Sequence, residues 1–130
     1  MALDIGKSRT GYAVSNEDQT VAFPRGFFVS ASNEKLIECI VALAKGEKFT
    51  KIVIGLPLGE DNEETPASRR IKKIAAMLSE KTAIPVDFVD EFGSTNEALS
   101  KIPFRKDRLK KKGYADAVSA QIILQRYIEM

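Results

Sequence analysis

The residue that most needs explaining comes early. Asp4 lies in Ala2-Leu3-Asp4-Ile5, an apolar run closed by Gly6. A run of that kind reads as a buried or half-buried strand. A carboxylate taken out of water is protonated or finds a partner, so Asp4 calls for solvent, a hydrogen-bond donor or a cation. Two more acidic positions share the pattern. Asp90 and Glu91 close an apolar stretch in "FVDEFGST", and Asp116 opens a long apolar-periodic segment after "KKKGYA". Taken singly, Asp116 reads equally as a helix cap, and Asp90 and Glu91 as exposed acids at a strand end.

Gathered at one place, these acids imply a specific chemistry. Two carboxylates about 4 Å apart repel by roughly 4 kcal/mol at an effective dielectric near 20. A cluster of three is therefore a poor structural device unless a cation resides there. The chain has no histidine and a single cysteine, Cys39. That removes the commonest general base and any structural zinc site. Mg²⁺ or Mn²⁺ suits an all-oxygen site. Two such ions roughly 4 Å apart activate a water and stabilise the leaving oxygen in phosphodiester cleavage.

Convergence of these acids depends on the elements that carry them. Residues 2–6 read as a first strand, 11–16 as a second and 20–30 as a third, the last interrupted at Pro24 and Gly26 as at a bulge or a sheet edge. Together they form an antiparallel meander. Residues 31–48 have helical spacing through Leu36, Ile37, Ile40, Val41, Leu43 and Ala44, with Ser32 or Asn33 as cap. "KIVIGLP", 51–57, is a short β-branched run of the kind found in buried parallel strands. Residues 65–82 form a helix with Pro66 in its first turn and a stripe of Ile71, Ile74, Ala75 and Leu78. A fifth strand follows at 84–91, a short helix at 95–101 and a terminal helix at 115–130. A meander followed by βαβ units implies an α/β domain spanning 1–130, with a mixed five-stranded sheet and helices on both faces. Ligands of such sheets bind off the carboxyl ends of the strands. If the first and fifth strands flank the fourth, and the terminal helix crosses them, the acids meet.

Charge points to a polyanionic partner. The net charge is only +2, yet residues 101–112, "KIPFRKDRLKKK", carry +6, leaving −4 for the remainder. A second basic cluster, "SRRIKK", occupies 68–73. Local positive patches on a near-neutral chain favour nucleic acid. Lys7 and Arg9 follow Asp4 on the predicted turn, where they can clamp a backbone phosphate. Arg105, Arg108, Lys110, Lys111 and Lys112 form a basic arm immediately before Asp116. The bland alternative is a solvated lysine-rich loop and an exposed turn. No apolar stretch reaches membrane-spanning length, the N-terminus has no signal-peptide pattern, and the lone cysteine fits a reducing compartment, so a cytoplasmic location is expected.

The blocks "LDIGKSRTGYAVS", "IVIGLPLG", "VDEFGSTNEA" and "ADAVSAQIILQRYI" together resemble the ordered motifs of the YqgF family, over nearly the whole chain. That family is similar to the RuvC-type Holliday junction resolvases and has the RNase H-like fold. The resemblance implies a divalent-metal nuclease in which Asp4, Glu91 and Asp116 are the catalytic, metal-binding acids. It also implies structured RNA as substrate, through maturation of the 5′ end of 16S ribosomal RNA, or branched DNA. A four-way junction would demand a homodimer, because it presents two equivalent strands; the RNA reading is compatible with a monomer. Three positions depart from the family pattern. Phe92 stands where an Arg usually follows Asp-Glu, Asn16 where an Asp is usual, and "GLPL" runs on into Gly59-Glu60-Asp61-Asn62. Loss of the guanidinium removes a natural phosphate contact, and Phe92 is the best support for a different class, a non-catalytic nucleic-acid-binding module.

Two phosphate-loop patterns fit less well. "GKS" at 6–8 lacks the P-loop glycine, since Met1 stands five positions before Gly6. "DIGKSRTG" also resembles the first phosphate loop of the actin and sugar-kinase superfamily, in which Gly6 and Gly11 would admit a phosphate. Those proteins close two domains around the nucleotide, and one domain offers half a cleft.

Overall fold

In the computed structural model, residues 1–30, 32–57, 63–90 and 114–130 are described. The elements run β1 (Ala2–Ile5), β2 (Arg9–Ser15), β3 (Ala22–Val29), α1 (Asn33–Glu47), β4 (Ile52–Leu56), α2 (Pro66–Thr82), β5 (Val86–Asp90) and α3 (Tyr114–Glu129). The expected helix at 95–101 lies outside the described residues. The sheet order is β3-β2-β1-β4-β5. β1, β2 and β3 pair antiparallel, and β1-β4 and β4-β5 pair parallel. The first and fifth strands thus flank the fourth, as the convergence argument requires.

Side-chain alternation divides the core into two. Leu3 and Ile5 of β1 and Ile52, Ile54 and Leu56 of β4 face α1 and α2, where they pack with Leu36, Ile40, Ile71 and Leu78. Ala2 of β1, Ala13, Val53 and Val89 face the other way and pack under Ala120, Ile123 and Leu124 of α3. The predicted stripe of α2 is buried in full, and Leu36, Ile37, Ile40 and Ala44 of α1 are buried. Small residues on the α3 side let a single helix lie close to the sheet. Among the described residues, no helix is long and apolar enough to cross a membrane.

The helix ends follow the local chemistry. Ser32, rather than Asn33, caps α1 by accepting from Lys35 N at 3.2 Å. Thr65 and Ser68 form a reciprocal capping box at the start of α2, with Pro66 in the first turn. Asn16 organises the β2–β3 turn, its Oδ1 accepting from Thr20 N at 2.8 Å and Val21 N at 3.0 Å. Its Nδ2 also donates to Thr20 Oγ1 at 2.8 Å, so the short amide holds the turn as both acceptor and donor.

β3 is both an edge strand and irregular. The register slips between Tyr12 and Ala13, which pair with Gly26 and Pro24, so Arg25 is the extra residue of a bulge. Arg25 turns to the α1 side and pairs with Glu47. The start of β3 is held by α3: Gln125 Oε1 accepts from Ala22 N at 3.0 Å, and Gln121 Nε2 donates to Ala22 O at 3.0 Å.

Candidate active site

Asp4 is explained by the direction it faces. It shares a side of β1 with Ala2, toward α3, and is neither fully buried nor exposed. It is therefore not buried in the apolar layer formed by Leu3 and Ile5. Its cross-strand partner is Gly11. Residues paired across an antiparallel ladder present their side chains on the same face, and at Gly11 that face carries only hydrogen.

α3 fills the space so left. A Cβ built on Gly11 would collide with the carbonyl of Asp116 and stand 2.6 Å from the nitrogen of Ala117. Gly11 therefore seats the first turn of α3 directly on β2, one strand away from Asp4. The acid of that turn is Asp116, with a side chain 29% exposed. Its position in the first helical turn suits a negative charge. Its Oδ2 lies 3.3 Å from Nε of Arg9. Arg9 belongs to β2, whereas the sequence pattern put it in the turn; its strand partner is Val29. Lys7 is exposed in the β1–β2 turn.

Asp4, Arg9 and Asp116 thus come together at one end of the sheet. At the same end β1 and β5 finish at Ile5 and Asp90, and β4 at Leu56. Glu91, Phe92, Arg105, Arg108, Lys110, Lys111 and Lys112 lie outside the described residues. Among the described residues, no group of three or more His, Cys, Asp or Glu could hold a metal. The donors present, Asp4 and Asp116, are hard carboxylate oxygens of the type Mg²⁺ and Mn²⁺ prefer. By donor type these two residues fit such an ion, and Arg9 is the cation that pairs with Asp116 here.

One residue of the site escapes sequence reasoning. Arg70 of α2 donates through Nη1 to the carbonyl of Gly6 at 2.9 Å and through Nε to Asn33 Oδ1 at 2.9 Å. It ties the turn after Asp4 to the starts of both helices on the far face. Gly6 N donates in turn to Arg9 O at 2.9 Å. In the sequence Arg70 is one basic residue of "SRRIKK", a patch expected to meet a polyanion. The structure uses much of that patch internally: Arg69 and Lys72 both pair with Glu64, at 3.5 and 3.2 Å. The Lys72 hydrogen bond, with its charge, holds the Glu64 carboxyl below its ordinary range.

The opposite end of the sheet carries a cavity of about 530 Å³, lined by Met1, Asn16, Phe49, Lys51 and Tyr127 among others. It is remote from the acids. Beside it, Asp87 Oδ2 accepts from Tyr127 Oη at 2.5 Å and Lys51 Nζ at 3.0 Å. Those two bonds lower the Asp87 pKa, and the bond to Asp87 raises that of Tyr127.

Comparison with known proteins bears on the family and the fold. The family model described as "RuvX: Holliday junction resolvase" matches residues 1–130. A Maridesulfovibrio salexigens protein named "Putative pre-16S rRNA nuclease" is 32% identical over 130 residues, covering 98% of this chain and 96% of its own length. A Thermus thermophilus protein of the same name is 30% identical, covering 98% and 94%. Among solved structures, T. thermophilus RuvC in complex with a Holliday junction substrate superposes with a TM-score of 0.64 at 12% identity, over 98% of this chain and 90% of that one. A second T. thermophilus RuvC structure gives 0.59 at 8% identity, over 98% and 94%. At those identities the likeness speaks for the fold, which is RNase H-like. Whole-chain agreement with the family model and relatives of similar length show that this chain belongs to the RuvX (YqgF) family.

Proposed function

We propose that this chain is a divalent-metal-dependent nuclease that hydrolyses phosphodiester bonds in structured nucleic acid, with the 5′ end of the 16S ribosomal RNA precursor as its physiological substrate in the cytoplasm. The observation that carries the reading is the seating of Asp116 on Gly11, beside Asp4, at the carboxyl end of the parallel strands. Family membership supports the reaction class, and the name borne by the relatives supports the substrate.

Asp4, Asp116 and Glu91 are the residues that would hold Mg²⁺ or Mn²⁺, Glu91 being the next residue in sequence after Asp90 of β5. When bound, the metal supplies an activated water and charge for the leaving oxygen. The chain's own groups do the rest. Asp4 presents its carboxylate from a strand whose other face is locked in the core, so its position is rigid. Arg9 neutralises Asp116 in the free protein and would bind a backbone phosphate beside the acids. Lys7 and the arm of Arg105, Arg108, Lys110, Lys111 and Lys112 add sequence-independent affinity.

The test is Mg²⁺- and Mn²⁺-dependent cleavage of RNA carrying the 16S precursor 5′ leader, with a four-way DNA junction alongside, for wild type and Asp4→Asn. The substitution keeps shape and removes charge. Loss of several kcal/mol of transition-state stabilisation predicts a rate lower by about 100-fold or more. Preference for the junction, with a dimer in sedimentation, would transfer the assignment to a resolvase, the activity that the family description names. Binding without cleavage by wild type would favour the non-catalytic module, and equal cleavage by both proteins would remove Asp4 from the mechanism.

A further inference from the structure

Phe27 and Phe28 are consecutive on β3 and have opposite fates. Phe28 faces the α1–α2 side and stacks on Tyr12, ring centroids 4.9 Å apart at 15°. Phe27 faces the α3 side and is 37% exposed, and Val29, two residues on and on the same side, is 65% exposed. Their register partners are the residues of the acidic site. Phe27 pairs with Gly11, which pairs with Asp4, and Val29 pairs with Arg9. Phe27, Gly11 and Asp4 therefore form one row across β3, β2 and β1, on one face of the sheet. Two interstrand spacings of about 4.8 Å separate the Phe27 backbone from that of Asp4 by about 10 Å. The first turn of α3, seated on Gly11, stands between the two side chains, with Asp116 of that turn paired to Arg9.

We propose that Phe27, flanked by Val29, is a stacking platform for an unpaired nucleobase of the substrate, beside the Arg9–Asp116 pair. The proposal rests on the nuclease reading and specifies what that site binds: nucleic acid with a single-stranded segment. An aromatic face beside an arginine suits a nucleotide, with the base on Phe27 and its phosphate toward Arg9. Bases inside a duplex have both faces covered by their neighbours, so only an unpaired base can use the platform. A second copy of the chain is the less suitable occupant. The edge of β3 is blunted by Pro24, by the Arg25 bulge and by the glutamines that occupy the Ala22 backbone, which leaves little for strand-to-strand pairing.

The test compares Phe27, Phe27→Ala, Phe27→Trp and Val29→Ala in the Asp4→Asn background with Mg²⁺, where cleavage does not intrude. Fluorescence anisotropy reads affinity for a single-stranded RNA, a single-stranded DNA of the same sequence and a blunt duplex. A 2-aminopurine reporter in the single strands reads stacking. Phe27→Ala is expected to weaken single-strand binding by about 5- to 150-fold, abolish the 2-aminopurine quench and leave duplex affinity unchanged. Phe27→Trp is expected to restore both, and melting curves verify folding. Equal weakening on single strands and duplex, or none on either, overturns the platform while leaving the nuclease reading standing. A wild-type dimer in sedimentation that Phe27→Ala dissociates assigns the surface to a second copy. Failure of the parent protein to bind any of the three probes overturns the nuclease reading along with the platform.

Discussion

Gly11→Ala should damage both stability and activity, and the structure sets the scale. The added Cβ would meet backbone rather than a flexible side-chain tip. To relieve it, Ala117 N must retreat from 2.6 Å to at least 3.0 Å, and the Asp116 carbonyl, in direct collision, must move further. Rigid overpacking of this kind costs about 1–3 kcal/mol. The displaced turn carries Asp116, and a 1 Å misplacement of a catalytic group costs on the order of 100-fold in rate. Gly46→Ala is the control. Gly46 lies in α1 with nothing within 4 Å of its would-be Cβ, so alanine there should stabilise by about 0.5–1 kcal/mol. Urea titration of both variants and wild type measures the stabilities, and metal-dependent cleavage of the precursor leader measures the rates. Opposite signs of the stability change are expected, with the rate loss confined to Gly11→Ala. A Gly11→Ala protein as stable as wild type would refute the claim that this glycine seats the helix. One that is destabilised yet fully active would refute the claim that the seat positions Asp116.

Arg70→Ala should lower kcat by loosening the turn after Asp4 while changing KM little, because Arg70 holds Gly6 O and Asn33 from α2, on the side of the sheet opposite α3; Arg70→Lys, which lacks the fork, should rescue only part of it. Equal rises in KM for both variants would indicate direct substrate contact instead. At the other end of the sheet, the depressed Asp87 pKa makes its interactions with Tyr127 and Lys51 stabilising above the ordinary value of 3.8. That contribution is lost as pH falls through the lower folded-state pKa, so the stability gap between wild type and Asp87→Asn should close with acidification. A gap unchanged from neutral pH to below 3 in denaturant titrations would refute the linkage.

The strands and helices were readable because their patterns are strong. β4 is continuously apolar and buried on both faces, and the stripe of α2 has one period throughout. Asp4 stood out because one charge broke an apolar run. The reason it is tolerated was not readable: period-two alternation allows it either face, and only packing shows that it faces α3, across from Gly11, rather than the α1–α2 layer. Gly11 could be seen as a glycine near a phosphate-loop pattern, but its role depends on a helix from the far end of the chain. Arg70 was hidden for a similar reason. In sequence it is one cation among several, and its distinguishing partner is a carbonyl 64 residues away. Arg9 was misplaced by two residues at a strand end, where hydrogen-bond partners, rather than side-chain pattern, decide the boundary.

The docking of α3 has a consequence for when the protein becomes active. The hydrogen bonds that fasten it to Ala22 span 99 and 103 residues. Asp4 is made well before Asp116, with both α1 and α2 between them. Closing so long a loop is entropically demanding and belongs late in folding. Synthesis at about 5–20 residues per second leaves the sheet and its first helical layer exposed for seconds before α3 can arrive. Asp4 and Asp116, the acids proposed for the site, therefore cannot meet until α3 has left the ribosome, and a nuclease that depends on them stays disarmed up to that point.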